Sequence, residues 1–459
     1  MTIHNGKLTN LIIFFLFGIF QVAGQTIGNI DPTPKPPKIA TIQPPNVVKT
    51  NYGINQPKTP NIYDPNLTIQ QRNQLIIQQV DRHIQQNRIQ NRKLIQEALY
   101  EFEKSSYETS YNLPSKKHFA GTKFYRDAFQ RINEMNANNY SVKDVTFLIE
   151  NAYHEGKENS EHFNQIVKQT GKFLLQKMDE FGYDKNSNVA KNFILFRFFS
   201  DTLQVKKKDL KHLPIAYDFN DYMGKNDWAN MFVTKLLFSN KGQCNSMPRL
   251  YLILAEEIGA EAYLALSPNH SYIRFKDETE HWYNVELTNQ MFATNSMILG
   301  SGYIKAEALQ SKIYMANLDK KQLLSLMLVD MANGYIHKFG YDEFVKKIID
   351  KALILYPNGI NANMLNSNFL TYKFEYFCHK FGINPRNHQE LQKIRYYPKL
   401  VGMLNQVNAQ YRKIDNLGYE PMPEDAYQKW LNSLQKAKQE QESKSIENRF
   451  KLKLNTFKN

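Results

Sequence analysis

Cysteine is almost missing from this chain: 459 residues hold two, Cys244 and Cys378. That excludes a disulfide-stapled scaffold and a cysteine-rich zinc module. Composition alone allows one bridge, between the pair. Against it, Cys378 follows Tyr372-Lys373-Phe374-Glu375-Tyr376-Phe377, an aromatic helical face on which a buried, inert thiol is the ordinary state. Cys244, His270 and His281 lack the spacing of a zinc site, and neither His154-Glu155 nor Glu161-His162 extends into an HExxH pattern. No metal and no cofactor are expected. Beyond residues 1–24 no apolar run approaches the roughly 20 residues that a membrane-spanning helix needs, and no lipobox cysteine is present. A nucleic-acid motif is lacking too. The net charge is +14, but the 58 lysines and arginines are scattered along the chain, so nucleic acid is not an expected partner. Attraction to anionic cell-envelope surfaces is the milder consequence.

What is present is an ordinary globular composition, 42% hydrophobic and 22% charged, on a chain long enough for more than one domain. Its chemistry concentrates in residues 228–288. Cys244 follows Lys241-Gly242-Gln243 and precedes a helical run (Met247, Leu250, Tyr251, Leu254, Ile258) that stops at Gly259. The thiol is therefore expected at a helix N-terminus, where backbone N–H groups and the helix dipole favour a thiolate. Its polar neighbours Gln243, Asn245 and Ser246 predict an accessible site. After Gly259 the period changes. Residues 262–266 read as a strand, Ser267-Pro268-Asn269 as a break, and residues 270–275 and 281–286 as a hairpin with a polar loop at 276–280. Symmetric pairing about Glu278 places Phe275 opposite His281, Arg274 opposite Trp282, Tyr272 opposite Asn284, and His270 directly opposite Glu286. With Cys244 as nucleophile, His270 as base and Glu286 as orienter, the three have the logic of thiol acyl transfer. Asn284, Asp277 and Glu278 are rival orienters.

At these residues the chain resembles the transglutaminase-like superfamily. The resemblance is carried by Gly242-Gln243-Cys244, Leu254-Ala255-Glu256-Glu257-Ile258-Gly259, Asn269-His270 and Trp282-Tyr283-Asn284-Val285-Glu286, within residues 227–288. It implies a papain-like fold with Cys at a helix N-terminus and His and an acid on adjacent strands. The family's acid is most often Asp; here it is Glu286, one methylene longer. Gln243 and Trp228 are the side-chain oxyanion candidates, beside the Cys244 backbone N–H.

The expected fold class is α+β: a mostly helical chain with a central transglutaminase-like domain carrying a small antiparallel sheet, followed by TPR-like helical hairpins. Residues 1–24 read as a secretory signal, with Lys7, an apolar stretch at 11–20 and Val22-Ala23-Gly24 before the cut, so export to the periplasm or cell exterior is expected. Residues 25–66 form a proline-rich linker. An N-terminal helical region spans 67–205, beginning with a long amphipathic helix at 67–104, expected to pack on the body, whose stripe is interrupted by Asn87 and Asn91. The transglutaminase-like domain is assigned to 206–310 and the TPR-like region to 311–437, where Tyr335, Ala352 and Pro357 mark one repeat across 322–355. An ordinary helical hairpin gives the same pattern. In a bacterial subgroup that the chain resembles, a transglutaminase-like domain is followed by such helices. Residues 438–459 form a charged tail.

Two functions follow as expectations. One is an exported thiol enzyme acting on peptide or side-chain amides of a protein or peptide substrate, as hydrolase or acyl transferase. The other is an inactive scaffold that binds a protein partner through its C-terminal helices.

Overall fold

The computed structural model describes residues 68–107, 110–205, 210–219 and 221–439. The expected signal, the linker, the polar stretch at 206–209 and nearly all of the tail lie outside the described residues. The described chain divides between two units, the first containing α1 (Ile69–Tyr107) and the second everything from Leu113 onward. Helix α1 has 39 residues, about 58 Å at 1.5 Å per residue. Its apolar residues Ile77, Val80, Ile84, Leu94 and Ile95 are exposed.

The second unit is mostly helical with small sheets. It opens with α2 (Thr122–Glu134), α3 (Val142–Tyr153), α4 (Ser160–Phe181) and α5 (Asn188–Ser200). Side chains fix three of these starts: Ser141, Asn159 and Ser187 each accept a hydrogen bond from a first-turn backbone N–H. In α5, Phe193, Ile194, Leu195, Phe198 and Phe199 are buried, as the run of apolar residues demands. Two short pairings follow. Strands β1 (Leu203–Val205) and β2 (Leu210–His212) run antiparallel, whereas β3 (Ala216–Tyr217) lies parallel to β4 (Lys241–Gly242). Between β3 and β4 stands α6 (Val233–Ser239), and after β4 comes α7 (Ser246–Ile258), which ends where Gly259 adopts φ +67°.

The main sheet is antiparallel, in the order β5 (Tyr263–Ser267), β6 (His270–Lys276), β7 (Trp282–Glu286) and β8 (Met291–Ala293). Alternation divides its side chains between two faces. Leu264, Leu266, Ile273, Phe275, Val285 and Phe292 join the main core with Leu250, Leu254 and Ile258 of α7. Ala265, Tyr272 and Ala293 form a separate small cluster with Ile298 on α8 (Asn295–Leu299).

After α9 (Ala306–Gln310), helix α10 (Lys320–Phe339) starts at a capping box between Asp319 and Gln322 and is buried over nearly its whole length. It packs against α11 (Glu343–Leu355) as a hairpin and also against α2 and α3. Helices α12 (Ile360–Lys380), α13 (His388–Leu391), α14 (Pro398–Asn416) and α15 (Glu424–Gln439) complete the chain. One hydrophobic core, from Leu113 to Leu417, crosses all three of the regions that composition separates. Among the described residues no helix is long and apolar enough to cross a membrane.

Candidate active site

Cys244 is carried by a rigid entry. Strand β4 pairs with β3, Tyr217 opposite Gly242, and Asp218 N–H donates to the Gly242 carbonyl at 2.9 Å. Gly242 has no room for a side chain: a Cβ there would stand 2.5 Å from both Leu236 and Met247. The next residue, Gln243, opens the turn that leads into α7. Its carbonyl accepts from Met247 N–H at 3.0 Å, and its own N–H donates to Ser246 Oγ at 2.9 Å. Cys244 therefore sits at the N-terminus of α7, as its spacing predicts, and its carbonyl accepts from the Ser271 hydroxyl on β6.

The hairpin brings the other two groups in, by a register that differs from symmetric pairing. Phe275 lies opposite Tyr283 and Arg274 opposite Asn284, two residues out from pairing about Glu278. The cause is the turn. Asp277 Oδ1 accepts from the backbone N–H groups of Thr279 at 2.8 Å and His281 at 2.9 Å, and Glu280 takes φ +63°. A shift of two keeps every side chain on its face but moves Glu286 from directly opposite His270 to the diagonal position. Diagonal Cβ atoms are roughly 7–8 Å apart, a span that suits a longer acid. Glu286 Oε1 accepts from His270 Nε2 at 2.8 Å, and both residues are fully buried.

The carboxylate is anchored in turn by Thr288 N–H at 2.9 Å, Asn289 N–H at 2.8 Å and Asn289 Nδ2 at 3.0 Å. Burial works against its charge, but His270 and these donors outweigh burial and lower the Glu286 pKa. Burial likewise opposes the imidazolium. The hydrogen bond and charge of Cys244 and of Glu286 prevail and raise His270 to about 9. With Nε2 committed to Glu286, Nδ1 is the nitrogen left to serve the thiol.

The rival orienters are engaged elsewhere. Asp277 holds its own turn, Glu278 accepts from the Ser187 hydroxyl at 2.8 Å, and Asn284 bridges Arg274 and Asn295. His281 stacks edge-on against Tyr283, away from any pairing with Cys244. Both cysteines are free thiols, and burial pushes Cys378 up to about 12. The oxyanion candidates separate. The Trp228 ring packs with Met231 and Phe232 and stacks on His337, and its unpartnered indole nitrogen faces Gly334. Gln243, next to the thiol, is fully buried with both carboxamide atoms unpartnered.

No protein-family model, curated protein or solved structure matches the chain.

Accessibility departs from expectation. Cys244 is 8% exposed, and Asn245 and Ser246 are buried with it. The cover comes from α15. Tyr427 OH lies 3.1 Å from His270 Nδ1, and the Trp430 ring meets the imidazole edge-on with centroids 5.3 Å apart. Tyr217 completes the enclosure, its buried hydroxyl beside Cys244 and Tyr427. Burial raises both phenols well above their ordinary pKa. Neither tyrosine was legible as a site residue, because Tyr427 stands 157 positions from His270 and only tertiary packing joins them.

Proposed function

We propose that this protein is a transglutaminase-like thiol enzyme, described here in a closed state, that acts on peptide or side-chain amides through an acyl-enzyme on Cys244. The observation that carries the reading is the convergence of Cys244, His270 and Glu286 in one buried region, Cys244 tied through its carbonyl to Ser271 beside His270 and the carboxylate held by three further donors. Its chemistry follows from placement. The Cys244 sulfur, at the positive end of α7, attacks an amide carbonyl while His270, its Nε2 fixed by Glu286, carries the thiol proton. The tetrahedral oxyanion takes donors from the Cys244 backbone N–H and the Gln243 carboxamide, whose unmet hydrogen bonds are idle without substrate. His270 then returns the proton to the leaving amine. Water resolves the acyl-enzyme in a hydrolase, and a second amine in a transferase.

In this reading the main sheet with α7 is the papain-like element, the α10–α11 hairpin is TPR-like, and residues 1–24 direct export. One observation favours the inactive scaffold: His270 has no exposed surface. Acylation separates the two. Exposure to a small activated ester, p-nitrophenyl acetate, followed by peptide mapping, should place acetyl on Cys244 of the native protein, and His270→Ala should reduce it by at least about a hundredfold, the usual scale of general acid–base assistance. Equal acetylation of native protein and variant would leave the scaffold.

A further inference from the structure

We propose that α15 occupies the substrate groove of this enzyme, and that the groove takes in its place a polypeptide segment presenting aromatic and leucine side chains at helical spacing; the inference rests on the thiol-enzyme reading. Helix α15 buries one face, Tyr427, Trp430, Leu431 and Leu434, at i, i+3, i+4 and i+7. Opposite lie Met223, Met291 and Met297 with Tyr222 and Tyr303. Methionine-rich walls adapt to different occupants, and a groove that meets one face of a helix is a recurring mode of peptide recognition. The occupied position is the reacting one, since the Tyr427 hydroxyl stands 3.1 Å from the imidazole nitrogen that must serve the thiol.

The helix is also separable. Its apolar contacts form their own cluster, distinct from the core that ends at Leu417. Between the two is Gly418, at φ +83° and so tightly passed that a Cβ would stand 2.3 Å from the Ala308 backbone nitrogen, which fixes the point where the helix leaves the body. Polar ties at its start are surface pairs: Glu424 with Lys225 at 3.2 Å and with the Tyr222 hydroxyl at 2.6 Å, and Glu420 with Lys305 at 3.5 Å. Such pairs contribute little. Two further contacts join backbone carbonyls of this segment to the loops flanking β6 and β7, Asn269 Nδ2 to Met422 at 2.8 Å and Asn289 Nδ2 to Leu431 at 3.5 Å. An incoming segment in the same pose can reproduce both, because they use only main-chain acceptors.

The test is the rate of Cys244 alkylation by iodoacetamide in the full chain, read by peptide mapping, with fully buried Cys378 as the internal report of global unfolding. Trp430→Ala should accelerate Cys244 at least tenfold while Cys378 stays unlabelled. A synthetic peptide of residues 421–436 should restore the slow rate saturably, and the same peptide with its tryptophan replaced by alanine should not. If Trp430→Ala labels both cysteines, the Lys225→Ala, Lys305→Ala, Glu424→Ala variant, altered only at exposed ties, replaces it with the same expectations at a severalfold gain. An unchanged Cys244 rate, or a gain that the peptide leaves intact, overturns the proposal. In a Trp430→Ala, His270→Ala protein Cys244 should be alkylated faster than in His270→Ala alone, while acetylation by p-nitrophenyl acetate is lost. A gain in access with no His270-dependent acetylation in any variant overturns the enzyme reading and leaves the groove.

Discussion

At Glu286 one methylene decides whether a carboxylate meets the imidazole. From the diagonal position the longer acid closes a 2.8 Å hydrogen bond to His270 and still accepts from Asn289 and Thr288. Glu286→Asp should therefore keep the charge and lose the contact, cutting Cys244 acetylation by about tenfold or more, whereas an unaffected rate would show that the carboxylate does not orient the ring. His270 makes a second prediction. Its pKa in the folded protein, about 9, lies above the ordinary histidine value near 6.5. The unfolded chain thus gives up this proton first as pH rises, so the stabilisation is complete below about pH 6.5 and fades as pH climbs through about 9. Melting temperature should fall between pH 7 and pH 9.5 more steeply in the native protein than in His270→Gln, as followed by circular dichroism; parallel curves would contradict it. The sequence made Cys244, His270 and Glu286 legible because each belongs to a local pattern, a helix start or a strand alternation. Tyr217, Tyr427 and Trp430 were not, because an aromatic residue on a helix or strand looks the same whether it packs on a core or on a catalytic ring.

Among the elements, the β6–β7 hairpin sets the register on which the site depends. Asp277 governs it, with Oδ1 taking the Thr279 and His281 N–H groups and Oδ2 accepting from the Tyr283 hydroxyl at 3.1 Å. Asp277→Ala should cost about 1.5–3 kcal/mol in chemical denaturation, the scale of a hydrogen bond to a charged group, and should also lower Cys244 acetylation, because strand offset and the His270–Glu286 contact share one cause. Loss of stability without loss of acetylation would separate the two. The same turn explains why face assignment was legible and offset was not. Alternation of Ile273, Phe275, Tyr283 and Val285 fixes which side chains turn inward, whereas a shift of two leaves that alternation unchanged. Helix starts are fixed locally for a related reason: the side chains of Ser141, Asn159, Ser187 and Asp319 take first-turn N–H groups.

At the largest scale, one core runs through the described residues from Leu113 to Leu417 and ties the helix that follows Cys244 to the C-terminal hairpins. A buried ion pair spans that junction, Arg249 Nη2 of α7 to Asp330 Oδ2 of α10 at 2.9 Å. Removing one partner leaves a buried charge uncompensated, so Asp330→Ala should destabilise the protein by about 3–5 kcal/mol by urea titration, and a change within 1 kcal/mol would show that the pair is dispensable. Composition divides the chain at this junction because a helical hairpin and an antiparallel sheet differ in period, and period carries no information about which apolar faces meet. The account's central claim, that the sulfur is a nucleophile served by His270, is tested most directly by the site and rate of acetylation from p-nitrophenyl acetate. The account predicts acetyl on Cys244 and none on Cys378, with the Cys244 adduct suppressed at least about a hundredfold by His270→Ala. Acetylation of Cys244 at the same rate in both proteins, or its complete absence in native protein and in the Trp430→Ala variant alike, would contradict it.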